Sequence, residues 1–171
     1  VDNAKINLIG PITFLALSKT TDGSNAFDHL ESLKDEYIKL INELSKLDNE
    51  VIIQIDEPIF VTDKASELTG KIVPIYDALA TAANNVKIIF MTYFEHANEA
   101  VEEVVKSKIW AIGLDFVHAS SQDKALKILS KSDKVLFAGL IDGRNVWVSN
   151  LDAKAQIVNK IKEFIPDDRL Y

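Results

Sequence analysis

The run Val51-Ile52-Ile53-Gln54-Ile55, broken off by Asp56-Glu57-Pro58, constrains this chain more than any other stretch. A β-branched run that does not alternate reads as a strand buried on both faces, as in a parallel sheet covered by helices. Pro58 cannot donate to a strand ladder and turns Glu57 away from helix, so the strand stops there. Asp56 and Glu57 then stand at the carboxyl end of a parallel strand, where α/β proteins gather their chemistry. The plainer alternative is that the two carboxylates cap the next segment or pair with a basic residue.

The same unit recurs along the chain. Lys5 to Leu8 forms a first short strand before a Gly10-Pro11 turn, and Ile12 to Leu17 starts a helix or lines a cleft. Phe27, Leu30, Leu33, Tyr37, Leu40, Ile41 and Leu44 recur at helical spacing and deliver the chain to Val51. Thr62-Asp63 offers a helix N-cap, and a helix through Ile72, Ile75, Tyr76 and Leu79 follows, started or bent at Pro74. Val86 to Met91, Trp110 to Leu114 and Val135 to Ile141 read as further strands. Helices from His96 to Lys108, after a Ser120-Ser121 cap, and through Ile157, Val158, Ile161 and Phe164 to Pro166 separate or follow them.

Five successive strand-helix units predict an α/β fold with a parallel sheet and right-handed crossovers. The polar strand ends favour a (β/α) TIM-barrel-like arrangement over a doubly wound sheet. Asp56 with Glu57, Thr92 with Tyr93, Asp115, and Asp142 with Arg144 would all point into one mouth. No Gly-rich phosphate loop follows a strand. A complete barrel needs about 250 residues, so 171 residues predict one domain over 1–171 that is an incomplete barrel of about five units.

Composition narrows the function. A net charge of −7 argues against nucleic acid or an anionic membrane surface as partner. No run reaches 18 apolar residues and no leader peptide is visible. The absence of cysteine excludes disulfides and thiolate metal ligands and fits a reducing compartment. A start at Val1 suggests a processed or shortened chain.

Five motifs together carry a resemblance. Leu8-Ile9-Gly10-Pro11-Ile12-Thr13-Phe14, Gln54-Ile55-Asp56-Glu57-Pro58, Met91-Thr92-Tyr93-Phe94, Gly113-Leu114-Asp115-Phe116-Val117 and Gly139-Leu140-Ile141-Asp142-Gly143-Arg144-Asn145-Val146-Trp147 follow one another in an order and spacing that resembles cobalamin-independent methionine synthase. More narrowly, they resemble its amino-terminal barrel. The resemblance implies a tandem of two barrels that transfers a methyl group from a methyltetrahydropteroyl-polyglutamate to homocysteine, forming methionine in the cytoplasm. It also implies that zinc, held by His, Cys and Glu ligands, belongs to the carboxy-terminal barrel. That barrel is then the expected partner, with the polyglutamate tail of the folate as a second candidate. The family's main folate-tail contacts lie upstream of Val1, and Asp167 to Tyr171 resembles the lead-in to a further strand.

No catalytic residue and no metal ligand set is expected in this chain. His29 falls on a helix, His96 at a helix start and His118 just after a strand, and no two share ligand spacing. The candidate substrate-binding residues are Asp56, Glu57, Asp115, Asp142 and Arg144, at the mouth. By resemblance, Asp56 and Glu57 match a position that binds the amino-acid part of homocysteine in the catalytic barrel. Arg144, with its planar fork, is the expected partner for the Asp56 carboxylate, or else pairs with Asp142. His118 with Asp115 forms either an acid-base pair or a hydrogen-bonded loop histidine. Two other functions remain open: a catalytically silent stand-alone binding domain, and a small-molecule lyase or aldolase using the acidic mouth.

Overall fold

The computed structural model describes residues 5–47, 49–119 and 121–171. Its sheet has five parallel strands, β1 (Lys5–Ile9), β2 (Val51–Asp56), β3 (Val86–Met91), β4 (Ala111–Asp115) and β5 (Val135–Gly139), in the order β1-β2-β3-β4-β5. Between and after them run α1 (Pro11–Leu17), α2 (Leu30–Leu44), α3 (Ala65–Leu68), α4 (Ile72–Ala80), α5 (Asn98–Val104), α6 (Asp123–Leu129) and α7 (Leu151–Lys162). Strand order that never reverses, joined by crossovers of one hand, puts the helices on the same side of the sheet. That is barrel winding, and the sheet is open: β1 and β5 do not pair with each other.

Helices therefore do not cover both faces of β2, as its apolar run suggested. Val51, Ile53 and Ile55 face the helical layer, packing with Ile88, Phe90, Ile112, Leu114 and Leu136. Ile52 turns the other way and joins Ile89, Ala111, Val135, Met91, Trp110 and Phe137 on the concave face. Alternation is present, but large side chains rather than helices bury the second face. Trp110, Phe137 and Tyr171 form an aromatic cluster there, Phe137 and Tyr171 stacking at 5.2 Å.

The chain end extends that face. Tyr171 N donates to Leu136 O at 2.9 Å and Ala138 N donates to Tyr171 O at 2.8 Å, with a parallel bridge between Leu136 and Leu170. The expected lead-in thus already pairs with β5. Several expected bounds shift by a residue or two, and α5 spans Asn98–Val104 rather than His96 to Lys108. It unwinds where Ser107 Oγ bonds back to Val104 O. Ser120 lies outside the described residues; Ser121 Oγ accepts from Asp123 N at 3.2 Å at the start of α6.

Glu57 fastens this architecture at one corner. It is fully buried, and its Oε2 accepts from Thr13 N (2.7 Å) and Thr13 Oγ1 (2.5 Å). Its Oε1 accepts from Ile12 N (3.1 Å) and Tyr76 Oη (2.7 Å). The first turn of α1, the middle of α4 and the tip of β2 meet on one carboxylate. Burial pushes its pKa above the ordinary value, and the four donors work against that shift. Gly10 permits the approach: a Cβ there would lie 2.0 Å from Glu57 Cδ, although its φ of −75° would suit any residue. Gly10→Ala is expected to expel Glu57 from its donors and lower the urea midpoint, by roughly 1–3 kcal/mol at unchanged m-value. A wild-type midpoint would show that Glu57 can be accommodated elsewhere at no cost.

Candidate functional site

The carboxyl ends of β3, β4 and β5 and the loops after them enclose a cleft of about 320 Å³. Its walls are mostly apolar, from Met91, Val117 and Ile141, with Asp115, His118, Asp142 and Arg144 supplying the polar groups.

Asp115 organises the cleft. Its Oδ1 accepts from Val117 N at 2.6 Å and His118 N at 2.9 Å, closing the loop after β4 on itself. Its Oδ2 accepts from Phe94 N at 2.9 Å and meets His118 Nδ1 at 2.9 Å. Burial would raise the Asp115 pKa, but the amides of His118 and Phe94 and the imidazole outweigh it and hold the carboxyl below its usual value. The contact between Asp115 Oδ2 and His118 Nδ1 orients the imidazole and leaves its Nε2 on the cleft side. Nε2 lies 3.8 Å from Asp142 Oδ2. Of the two readings for this pair, the hydrogen-bonded loop histidine describes the contacts.

Phe94 has φ of +86°, a backbone setting that costs a non-glycine residue energy and is held by its surroundings. The bond from its N to Asp115 supplies one such restraint. In this pose the Phe94 ring carries the Arg144 guanidinium, whose carbon sits 5.0 Å from the ring centroid. Arg144 therefore does not reach Asp56, and it does not pair with Asp142 through its side chain. Asp142 instead accepts from Arg144 N at 2.9 Å and from Asn145 Nδ2 at 2.5 Å. The backbone amide of Arg144, then Asn145, His118 and the Arg144 charge, hold the Asp142 carboxyl below its ordinary range.

Asp56 lies on the same concave side, outside the cleft wall. Gln54 Nε2 donates to its Oδ1 at 2.7 Å, Lys5 Nζ donates to the amide oxygen of the same Gln54, and the Tyr93 side chain lies near enough to feel the Asp56 charge. Burial, then the Asp56 charge, raises the Tyr93 pKa. Of the five candidates, the structure brings Asp115, Asp142 and Arg144 together, sets Asp56 beside them through Tyr93, and removes Glu57. Successive strand residues point to opposite faces, so neighbours in sequence cannot both enter the mouth. Phe94 was missed as a polar-site component. Nothing in its residue type announces a positive φ.

The family model described as "Cobalamin-independent synthase, N-terminal domain" matches residues 1–166. The chain belongs to this family. Among similar members of the cobalamin-independent synthase family is a 5-methyltetrahydropteroyltriglutamate-homocysteine methyltransferase of Desulforamulus reducens, 41% identical over 93% of this chain and 21% of that protein. A protein of the same name from Listeria welshimeri is 41% identical over 95% of this chain and 21% of its own length. The chain thus spans about a fifth of the length of these relatives. A B12-independent methionine synthase from Shewanella sp. W3-18-1, solved with selenomethionine, superimposes with a TM-score of 0.84 over 98% of this chain and 53% of that one. At 18% identity it speaks for the fold alone. Among the described residues no three His, Cys, Asp or Glu side chains group to hold a metal, and the sequence has no cysteine. Nor is any described helix long and apolar enough to cross a membrane.

The linkage sign for Asp115 follows from its lowered folded-state pKa. Its contribution is fully present above the unfolded value of about 3.9 and is lost as pH falls through the folded value. Asp115→Asn is expected to lower stability at pH 7 by roughly 1–3 kcal/mol, with the gap to wild type narrowing below about pH 4. Urea midpoints measured across that range check it. A gap of constant size would contradict the assignment.

Proposed function

We propose that this chain is a non-catalytic portion of the amino-terminal barrel of a methyltransferase. The enzyme moves a methyl group from 5-methyltetrahydropteroyl-polyglutamate to homocysteine and forms methionine in the cytoplasm. The observation that carries this reading is the family match over nearly the whole chain, supported by relatives whose names state that reaction. Homocysteine reacts as its thiolate, and a metal or neighbouring cation must lower the thiol pKa for that. No such metal-binding group exists among the described residues. The chemistry, with its zinc, is assigned to a carboxy-terminal barrel that partners this one. What this chain contributes is a rigid open sheet, whose concave side carries Asp56, Asp115, Asp142 and Arg144 as the substrate-facing candidates; Glu57 is spent inside the fold. A contact with the polyglutamate tail is part of the same proposal.

The test compares the isolated chain with the enzyme encoded by its parent reading frame, both supplied with methyltetrahydropteroyl-triglutamate and homocysteine. The isolated chain is expected to form no methionine above background and to hold no stoichiometric zinc by elemental analysis. The whole enzyme should form methionine and hold zinc. Turnover by the isolated chain that a substitution within it abolishes would overturn the reading, as would a parent frame with no second barrel.

A further inference from the structure

We propose that the cleft between the ends of β3, β4 and β5 is a binding site for a small organic carboxylate, with Arg144 taking the charged end and the apolar wall taking the body. This goes beyond the methyl-transfer reading and does not depend on it.

Most polar groups of the cleft are already committed. Both oxygens of Asp115 are filled by three backbone amides and an imidazole. Asp142 is occupied by Arg144 N and Asn145 Nδ2. The two acids of the cleft are thus tied into its own loops, where amide dipoles offset their charge. Arg144 is the reverse case. Its guanidinium lies on the Phe94 ring, and among the described residues it takes part in no ion pair. Stacking on an aromatic face removes water from one side of the fork and leaves its N–H edge available for a bidentate partner. A carboxylate matches that edge in geometry and charge.

The rest of the wall defines the remainder of the ligand. Met91, Val117 and Ile141 present apolar surface, and Ile141 is 60% exposed. The volume, about 320 Å³, lies at the low end for small-molecule sites. The platform is also pre-set. Phe94 is held at positive φ through Asp115, so a ligand would not need to order the ring that supports Arg144. An inorganic anion would satisfy the arginine but leave the apolar wall wet. An uncharged apolar molecule would cover the wall but leave the fork unused. Only a molecule carrying both features uses the whole cleft.

The experiment titrates the 171-residue chain with hexanoate and, separately, with its uncharged analogue hexanamide, following backbone amide resonances by NMR. Hexanoate is expected to shift the signals of Phe94, Val117, His118 and Ile141 in a saturable way. Hexanamide should bind about tenfold more weakly, the ~1.4 kcal/mol of one charge-assisted pair. Arg144→Gln, a substitution of an exposed loop residue, should abolish that preference while leaving the unliganded spectrum elsewhere unchanged. Lys19→Gln, equal in charge change but just past the end of α1 and outside the cleft lining, should keep it. The proposal is overturned by equal affinity for the two probes, by an Arg144→Gln variant that still prefers hexanoate, or by no saturable response within hexanoate's solubility.

Discussion

A carboxylate withdrawn from water can remain only where donors replace the lost hydration, and Glu57 is the point at which this fold satisfies that condition. Its four donors come from two helices, one before β2 in the chain and one after it, so the cost of its burial is met only when α1 and α4 are both seated. The interaction therefore couples elements separated by dozens of residues, and it does so among side chains of the main core such as Ile12, Ile55 and Tyr76. Tyr37 adds to the same corner. Its hydroxyl donates to Ile9 O, and burial followed by the Glu57 charge pushes its pKa up to about 12. Removing one partner of such a network would leave the others unsatisfied, a larger loss than one average hydrogen bond.

From that corner the concave face follows. With α1 and α4 fixed behind β2, the side chains of alternate residues are committed to the opposite side, and their polarity grades along the strands. Ile52, Ile89, Ala111 and Val135 bury one another near the strand starts, and Asp56 and Asp115 close the strand ends. The gradient separates tasks: apolar residues hold the strands, and acids hold the loops. Asp115 binds two loops at once, which is why the cleft has a defined wall in a sheet that does not close.

Much of this was legible in the residues. The β2 run, the parallel order and the succession of polar strand ends needed only periodicity and turn chemistry. The destination of Glu57 was also within reach, since the pleat forbids two adjacent side chains from sharing a face. The acidic pair drew attention as a pair, and that hid the split. Arg144 was not legible in the same way. Its position depends on a loop conformation and on Phe94 adopting a positive φ, and neither leaves a trace in local sequence pattern. Nor could the sequence say that Gln54 would relay between Lys5 and Asp56, because a polar residue in an apolar run gives no sign of which neighbour it serves.

Family membership and fold do not by themselves assign work to individual side chains. Here the residues divide cleanly. Glu57, Thr13 and Tyr76 build, Asp115 and Phe94 position, and Arg144 is left facing the cleft. The central claim is the first of these, that Glu57 locks α1 and α4 to the sheet as one cooperative unit. Native-state hydrogen exchange at the Ile12 and Thr13 amides tests it most directly, because those protons are the ones Glu57 accepts. The account predicts that both exchange only through global unfolding, with opening free energies matching those of the β2 and β3 amides. Exchange at the rate of an exposed loop, while β2 stays protected, would contradict it.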